Sequence, residues 1–194
     1  MNIIYLHGFQ SNALAFKGHA LKDFCQRHTH VTVHLPDLNM PPQQVMAYVS
    51  QMIESLEQVA LVGSSLGGFY ATQLVAKYDI PAVLINPAMR PWQLFDDLFG
   101  HRQIPYLVNA NWTLDEQQLQ HLQQMAVPFV QNADKILVLL QQGDEVLDYR
   151  EAQGYYSRAS HQCLVITEAN GQHAMANFAD KIPMLLQFLS DCIK

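Results

Sequence analysis

Val59-Ala60-Leu61-Val62-Gly63-Ser64-Ser65-Leu66-Gly67-Gly68-Phe69-Tyr70-Ala71-Thr72 is an apolar run, then a Gly-x-Ser-x-Gly pattern, then a stretch with the composition of a helix. Together they specify a strand that turns sharply into a helix with Ser65 at the corner. Gly63 and Gly67 remove the β-carbons that would collide where strand and helix cross. Ser65 is then held above the carboxyl edge of a sheet, at the amino end of a helix whose dipole favours developing negative charge. The five-residue pattern alone is weakly specific; the strand before it and the helix after it give it meaning.

The rest of the chain sets that turn in context. Its 194 residues suit one domain with a substantial core, and 49% hydrophobic against 14% charged residues describes a globular chain. A net charge of −6 without a Lys/Arg cluster argues against nucleic acid or an anionic membrane as partner. Cys25, Cys163 and Cys192 are an odd, scattered set with no C-x-x-C, so they predict neither a disulfide framework nor a zinc site. No basic leader precedes Ile3-Ile4-Tyr5-Leu6, and no apolar run approaches the roughly 20 residues that span a bilayer. These features predict a soluble cytoplasmic protein.

Strands are expected at 3–6, 31–35, 59–62, 82–85, 136–140 and 163–166, each short and apolar. Helices are expected at 13–27, capped by Ser11 or Asn12, at 43–56, from Ser65 to 77, from a Thr113-Leu114-Asp115-Glu116 capping box to 125, and at 149–157 and 177–193. Alternating strands and amphipathic helices specify an α/β fold, a mostly parallel sheet of about six strands with helices on both faces. The chain reads as a single domain over 1–194. Residues 88–130 are the least regular part and hold Trp92, Phe95, Phe99, Tyr106, Trp112 and Phe129. Two readings of them stand: a short lid insertion over a ligand, or aromatics that simply bury the segment against the sheet.

A serine hydroxyl needs a base to take its proton and an acid to orient that base. Ligands of open α/β sheets bind outside the carboxyl ends of the strands, and this sorts the nine histidines. His30 and His161 precede strands; His19, His28 and His121 fall in or beside helices; His34 lies in or at the end of strand two; His101 is in the irregular segment. Only His7 and His173 follow strands at the productive edge. After this turn motif the partners follow in the order acid, then histidine, which selects His173 as base. His7, beside Gly8, is expected to shape the loop after the first strand. Asp144, following Gln141-Gln142-Gly143, leads as the acid; Asp148, Glu145, Asp96 and Asp97 are alternatives. Two backbone N–H groups are expected to bind the oxyanion, one from Leu66 and one from Phe9. Ser64 is the rival nucleophile, but one step along the turn its side chain points away from the base.

Leu6-His7-Gly8-Phe9, Gly63-Ser64-Ser65-Leu66-Gly67-Gly68, Gly143-Asp144-Glu145-Val146 and Gly171-Gln172-His173-Ala174 resemble the α/β-hydrolase superfamily nearly end to end. Leu84-Ile85-Asn86-Pro87-Ala88 and the stretch from Gln142 to Arg150 bring the chain closer to the small bacterial YqiA-like esterases. That resemblance implies a compact α/β-hydrolase fold without a large cap domain, a triad of Ser65, Asp144 and His173, and esterase activity on acyl substrates; the shortness of residues 88–130 adds the expectation of an open site for small or linear acyl chains. It implies no metal and no organic cofactor. The first strand matches what is usually the third of the superfamily, so a smaller sheet is expected. A thioesterase or acyltransferase with the same triad, and a non-catalytic binding protein on the same fold, are the rival readings.

Overall fold

The computed structural model describes residues 1–99, 104–158 and 163–193. In chain order the elements are β1 (Asn2–Leu6), α1 (Phe16–His28), β2 (Thr32–His34), α2 (Pro42–Ser55), β3 (Val59–Ser64), α3 (Leu66–Tyr78), β4 (Ala82–Ile85) and α4 (Pro91–Phe99). A small hairpin, β5 (Tyr106–Asn109) and β6 (Trp112–Leu114), precedes α5 (Glu116–Met125). The chain continues through β7 (Ile136–Gln141), α6 (Tyr149–Tyr156), β8 (Leu164–Glu168) and α7 (Phe178–Cys192). Six strands form one parallel sheet in the order β2-β1-β3-β4-β7-β8.

Strand periodicity builds two cores. Side chains alternate across a strand, so Ile4 and Leu6 of β1, Leu61 of β3 and Val138 and Leu140 of β7 face one side with Val45, Val49, Leu74 and Tyr156. Ile3, Tyr5, Ala60, Val62, Leu137 and Leu139 face the other side, against Leu21 of α1 and Phe178, Ile182 and Leu185 of α7. Strands buried on both faces lose the polar alternation of an exposed sheet, and this explains their unbroken apolar composition. The connection from β1 leads through α1 to the sheet edge at β2, and the one from β2 returns through α2 to β3. The strand order therefore reverses between β1 and β3, and a crevice opens above their carboxyl ends.

The six expected strands all form, with ends shifted by a residue or two. Three local expectations are corrected. Helix α1 starts at Phe16, and its N-cap Ala15 offers no side-chain acceptor; Asn12 instead accepts from Leu14 N–H at 2.8 Å, closing a turn ahead of the helix. Thr113 is not a cap, because pairing with Leu107 in the hairpin claims it; Asp115 caps α5, accepting from Gln118 N–H at 2.8 Å. Residues 88–130 are more regular than their sequence suggests, because α4, the β5–β6 hairpin and α5 organise most of them. His101 and His161, and the side chains of Asp97 and Phe99, lie outside the described residues.

The turn that the sequence marks is the most crowded point of the sheet. A β-carbon on Gly67 would stand 2.0 Å from the Leu6 carbonyl oxygen, and one on Gly63 would stand 2.4 Å from the Gly67 carbonyl oxygen. Both obstacles are backbone, which cannot swing aside. Gly67→Ala should therefore cost about 3 kcal/mol or more, or prevent folding. Gly154, exposed on α6 with nothing near its added β-carbon, is the contrast: Gly154→Ala should stabilise by about 0.5–1 kcal/mol. Urea unfolding of the two variants measures both signs.

Candidate active site

Ser65 stands between β3 and α3 with φ 54° and ψ −119°. A non-glycine residue there is strained by about 1–3 kcal/mol and must be held by its surroundings. Its N–H donates to Ile85 O at 3.0 Å, and its carbonyl accepts from Gly68, Phe69 and Ala88 N–H groups at 2.9, 3.2 and 3.1 Å. The backbone at Gly8 presses on it from the loop after β1: a β-carbon there would lie 3.1 Å from Ser65 Cβ and 3.6 Å from its Oγ. Leu66 is the first residue of α3, so no intrahelical acceptor lies ahead of its N–H. Ser64 is buried beside the Tyr5 hydroxyl, whose pKa burial raises.

His7 holds that loop. Leu38 N–H donates to its Nε2 at 2.9 Å, so Nδ1 carries the proton and donates to Gly8 O at 2.8 Å. The buried imidazole thus ties the loop after β1 to the one after β2. Phe9, the next residue but one, packs against Phe95, Trp112 and Tyr106 at ring distances of 4.6, 5.8 and 6.5 Å.

Asp144 and His173 meet between the loops after β7 and β8. Asp144 Oδ2 accepts from His173 Nδ1 at 2.7 Å. Asp144 Oδ1 accepts from the Val146 and Leu147 N–H groups at 2.9 and 2.8 Å, and its side chain is only 2% exposed. A carboxylate so held is orientated before anything binds. Two glycines let the loops meet: a β-carbon on Gly143 would come 2.5 Å from Gly171 O, and one on Gly171, at φ +78°, would overlap the Gln141 side chain.

Two residues hold the His173 backbone without facing the cavity. Asn86, at the end of β4 with φ 40°, accepts from Gln141 N–H at 2.9 Å and donates to His173 O at 3.1 Å. Glu145 accepts from His173 N–H at 2.9 Å, and this bond holds its carboxyl below the usual glutamate value. Neither role was legible in sequence. A strand-end Asn-Pro and an acid beside an acid carry no signal of the loop they bind.

Ser65 and His173 line one cavity of about 670 Å³ with Phe9, Phe95, Val146 and Lys17. The alternative acids go elsewhere. Asp148 caps α6 through Arg150 N–H at 3.0 Å, and Asp96 faces a separate cavity with Trp92 and Glu116. A second large cavity, of about 620 Å³, lies between Phe69, Trp92, Tyr155 and Arg90, away from Ser65. Burial pushes the Cys163 thiol up to about 12, so it stays protonated. Among the described residues, no three His, Cys, Asp or Glu side chains are grouped to hold a metal ion, and no helix is long and apolar enough to cross a membrane.

The model of an uncharacterised protein family, UPF0227, matches residues 2–190. Among solved structures, the chain is similar to alpha/beta hydrolase domain-containing protein 10 from mouse, with a TM-score of 0.76 at 16% identity, covering all of this chain and 90% of that one. It is similar also to Est1E from Butyrivibrio proteoclasticus, solved with ferulic acid bound, with a TM-score of 0.73 at 14% identity, covering 99% and 89%. The fold is that of the α/β hydrolases.

Asn86→Ala strands the buried Gln141 N–H and should cost about 1–3 kcal/mol in urea unfolding. Glu145 has a depressed folded value. Its contribution is therefore complete above the unfolded glutamate value and is lost as pH falls through the lower folded one. The His173 amide proton shift should then show a step with a midpoint below that of an ordinary glutamate, and that step should be absent in Glu145→Gln.

Proposed function

We propose that this chain, which belongs to the uncharacterised protein family UPF0227, is a serine hydrolase that cleaves carboxylic esters of small or linear acyl groups. One observation carries the reading: the 2.7 Å contact from His173 Nδ1 to Asp144 Oδ2, with Ser65 and His173 on the wall of the same cavity. With Nδ1–H given to the carboxylate, Nε2 is left as the basic nitrogen. Ser65 Oγ attacks the ester carbonyl as Nε2 takes its proton, and the carbonyl oxygen becomes an oxyanion. The N–H groups of Leu66 and Phe9 receive that charge, which exists only in the transition state and the tetrahedral intermediate. The imidazolium then protonates the departing alcohol, leaving Ser65 acylated. A water, activated by the same nitrogen, releases the acid and restores the serine. Asp144 stays ionised throughout and fixes the tautomer.

The strained Ser65 backbone supports this role, since backbone strain gathers at functional positions. The fold shared with Est1E supports the ester chemistry. We read α4 and the β5–β6 hairpin as a short cover on the Phe9 side of the cavity, through Phe95, Tyr106 and Trp112. The buried thiols of Cys25 and Cys163 are free, which suits a reducing cytoplasm.

Ser65→Ala should keep its circular dichroism and lose all labelling by a fluorophosphonate probe. Asp144→Asn should lower kcat by about 10³–10⁴-fold, because the imidazole loses its fixed tautomer.

A further inference from the structure

The cavity beside Ser65 holds a cation for which the triad has no use. Lys17 is the second residue of α1, and α1 reaches the cavity wall at Ala15, Phe16 and Lys17. Its ammonium donates to Ala174 O at 2.8 Å, one residue beyond the base. An ammonium has three donors, so that bond leaves two. Among the described residues Lys17 forms no ion pair, and the residues lining the cavity include no Asp or Glu. Asp144 attracts it through space, but both its oxygens are engaged by His173 and by the Val146 and Leu147 N–H groups. The remaining walls are largely apolar, with Phe9, Phe16, Leu94, Phe95 and Val146. Burial accordingly lowers the Lys17 pKa, with Asp144 opposing it. A partly desolvated cation without a direct ion pair gains strongly when an anion arrives.

We propose that Lys17 selects ester substrates that carry a carboxylate, holding that group in the catalytic cavity beside Ser65 and His173. The proposal rests on Ser65 being the nucleophile. A carboxylate fits better than a phosphate. One ammonium offers one charge, and a dianion would add a second negative charge close to Asp144. The chain is acidic overall, at −6, so long-range steering does not favour anions and the recognition must be local.

Two pairs of esters test this and locate the carboxylate. On the acyl side, the 4-nitrophenyl esters of adipic and heptanoic acid are compared; they have similar length, and only one is charged. On the alcohol side, the butyryl esters of 3-hydroxybenzoate and 3-hydroxybenzamide are compared. The readout is the ratio of kcat/KM, charged over neutral, in wild type, Lys17→Met and Lys17→Arg. Each enzyme supplies its own neutral reference, so a general loss from a loosened Ala174 loop cancels. In at least one pair the ratio should fall about ten-fold or more in Lys17→Met, as expected for loss of a hydrogen bond to a charged group, and Lys17→Arg should keep most of it. Ratios in Lys17→Met within about two-fold of wild type in both pairs would overturn the proposal. So would a wild type that turns over both neutral esters and neither charged one. A wild type inert to all four esters and to fluorophosphonate would instead overturn the nucleophile reading, and this proposal with it.

Discussion

The carbonyl of Leu6, at the end of β1, leaves no room for a side chain on Gly67 in the first turn of α3. This contact between two backbones is what the rest of the site depends on. It brings the loop after β1 against the turn after β3, so Gly8 touches Ser65 and Phe9 comes to the same rim. It also fixes the direction in which α3 leaves the sheet, and hence the uncomfortable φ of Ser65. The strain persists because the Ser65 N–H and carbonyl are both committed, the carbonyl to three donors. Glycine is required here for lack of space, since neither Gly63 nor Gly67 has a positive φ.

A second close approach, on the far side of β4, completes the arrangement. Gly143 and Gly171 let the loops after β7 and β8 touch, and Asn86 joins both to the end of β4. His173 is thus held at its backbone by Asn86 and Glu145, and at its ring by Asp144. Parallel strands make this economical, because all six end at one edge and a short loop from any of them reaches the same crevice.

Asp144 and His173 illustrate what can be read without coordinates. Strand order and edge place both at one rim of the sheet, and the structure brings their side chains to 2.7 Å. Glu145 shows the limit. Adjacent carboxylates look alike in sequence, and which one meets the ring and which meets the backbone N–H depends on a turn closed by Val146 and Leu147. The hairpin within residues 88–130 leaves no signal in the sequence for a related reason. The hairpin there is held by Trp112 and Tyr106 packing around Phe9, about a hundred positions earlier, and such distant packing leaves no local periodicity.

The order of the six sheet strands, the two-sided burial of the sheet and the identity of the turn at Ser65 were determined by the sequence itself. They rest on short-range physics: apolar runs of strand length, helical spacing, and glycines where a β-carbon has no space. Which side chains gather around His173 was decided only by the tertiary structure. Lys17 comes from the first helix, Asn86 from the fourth strand and Glu145 from the seventh loop. What relates them is distance through space, set by how the sheet stacks its strand ends, and one-dimensional spacing carries no record of it.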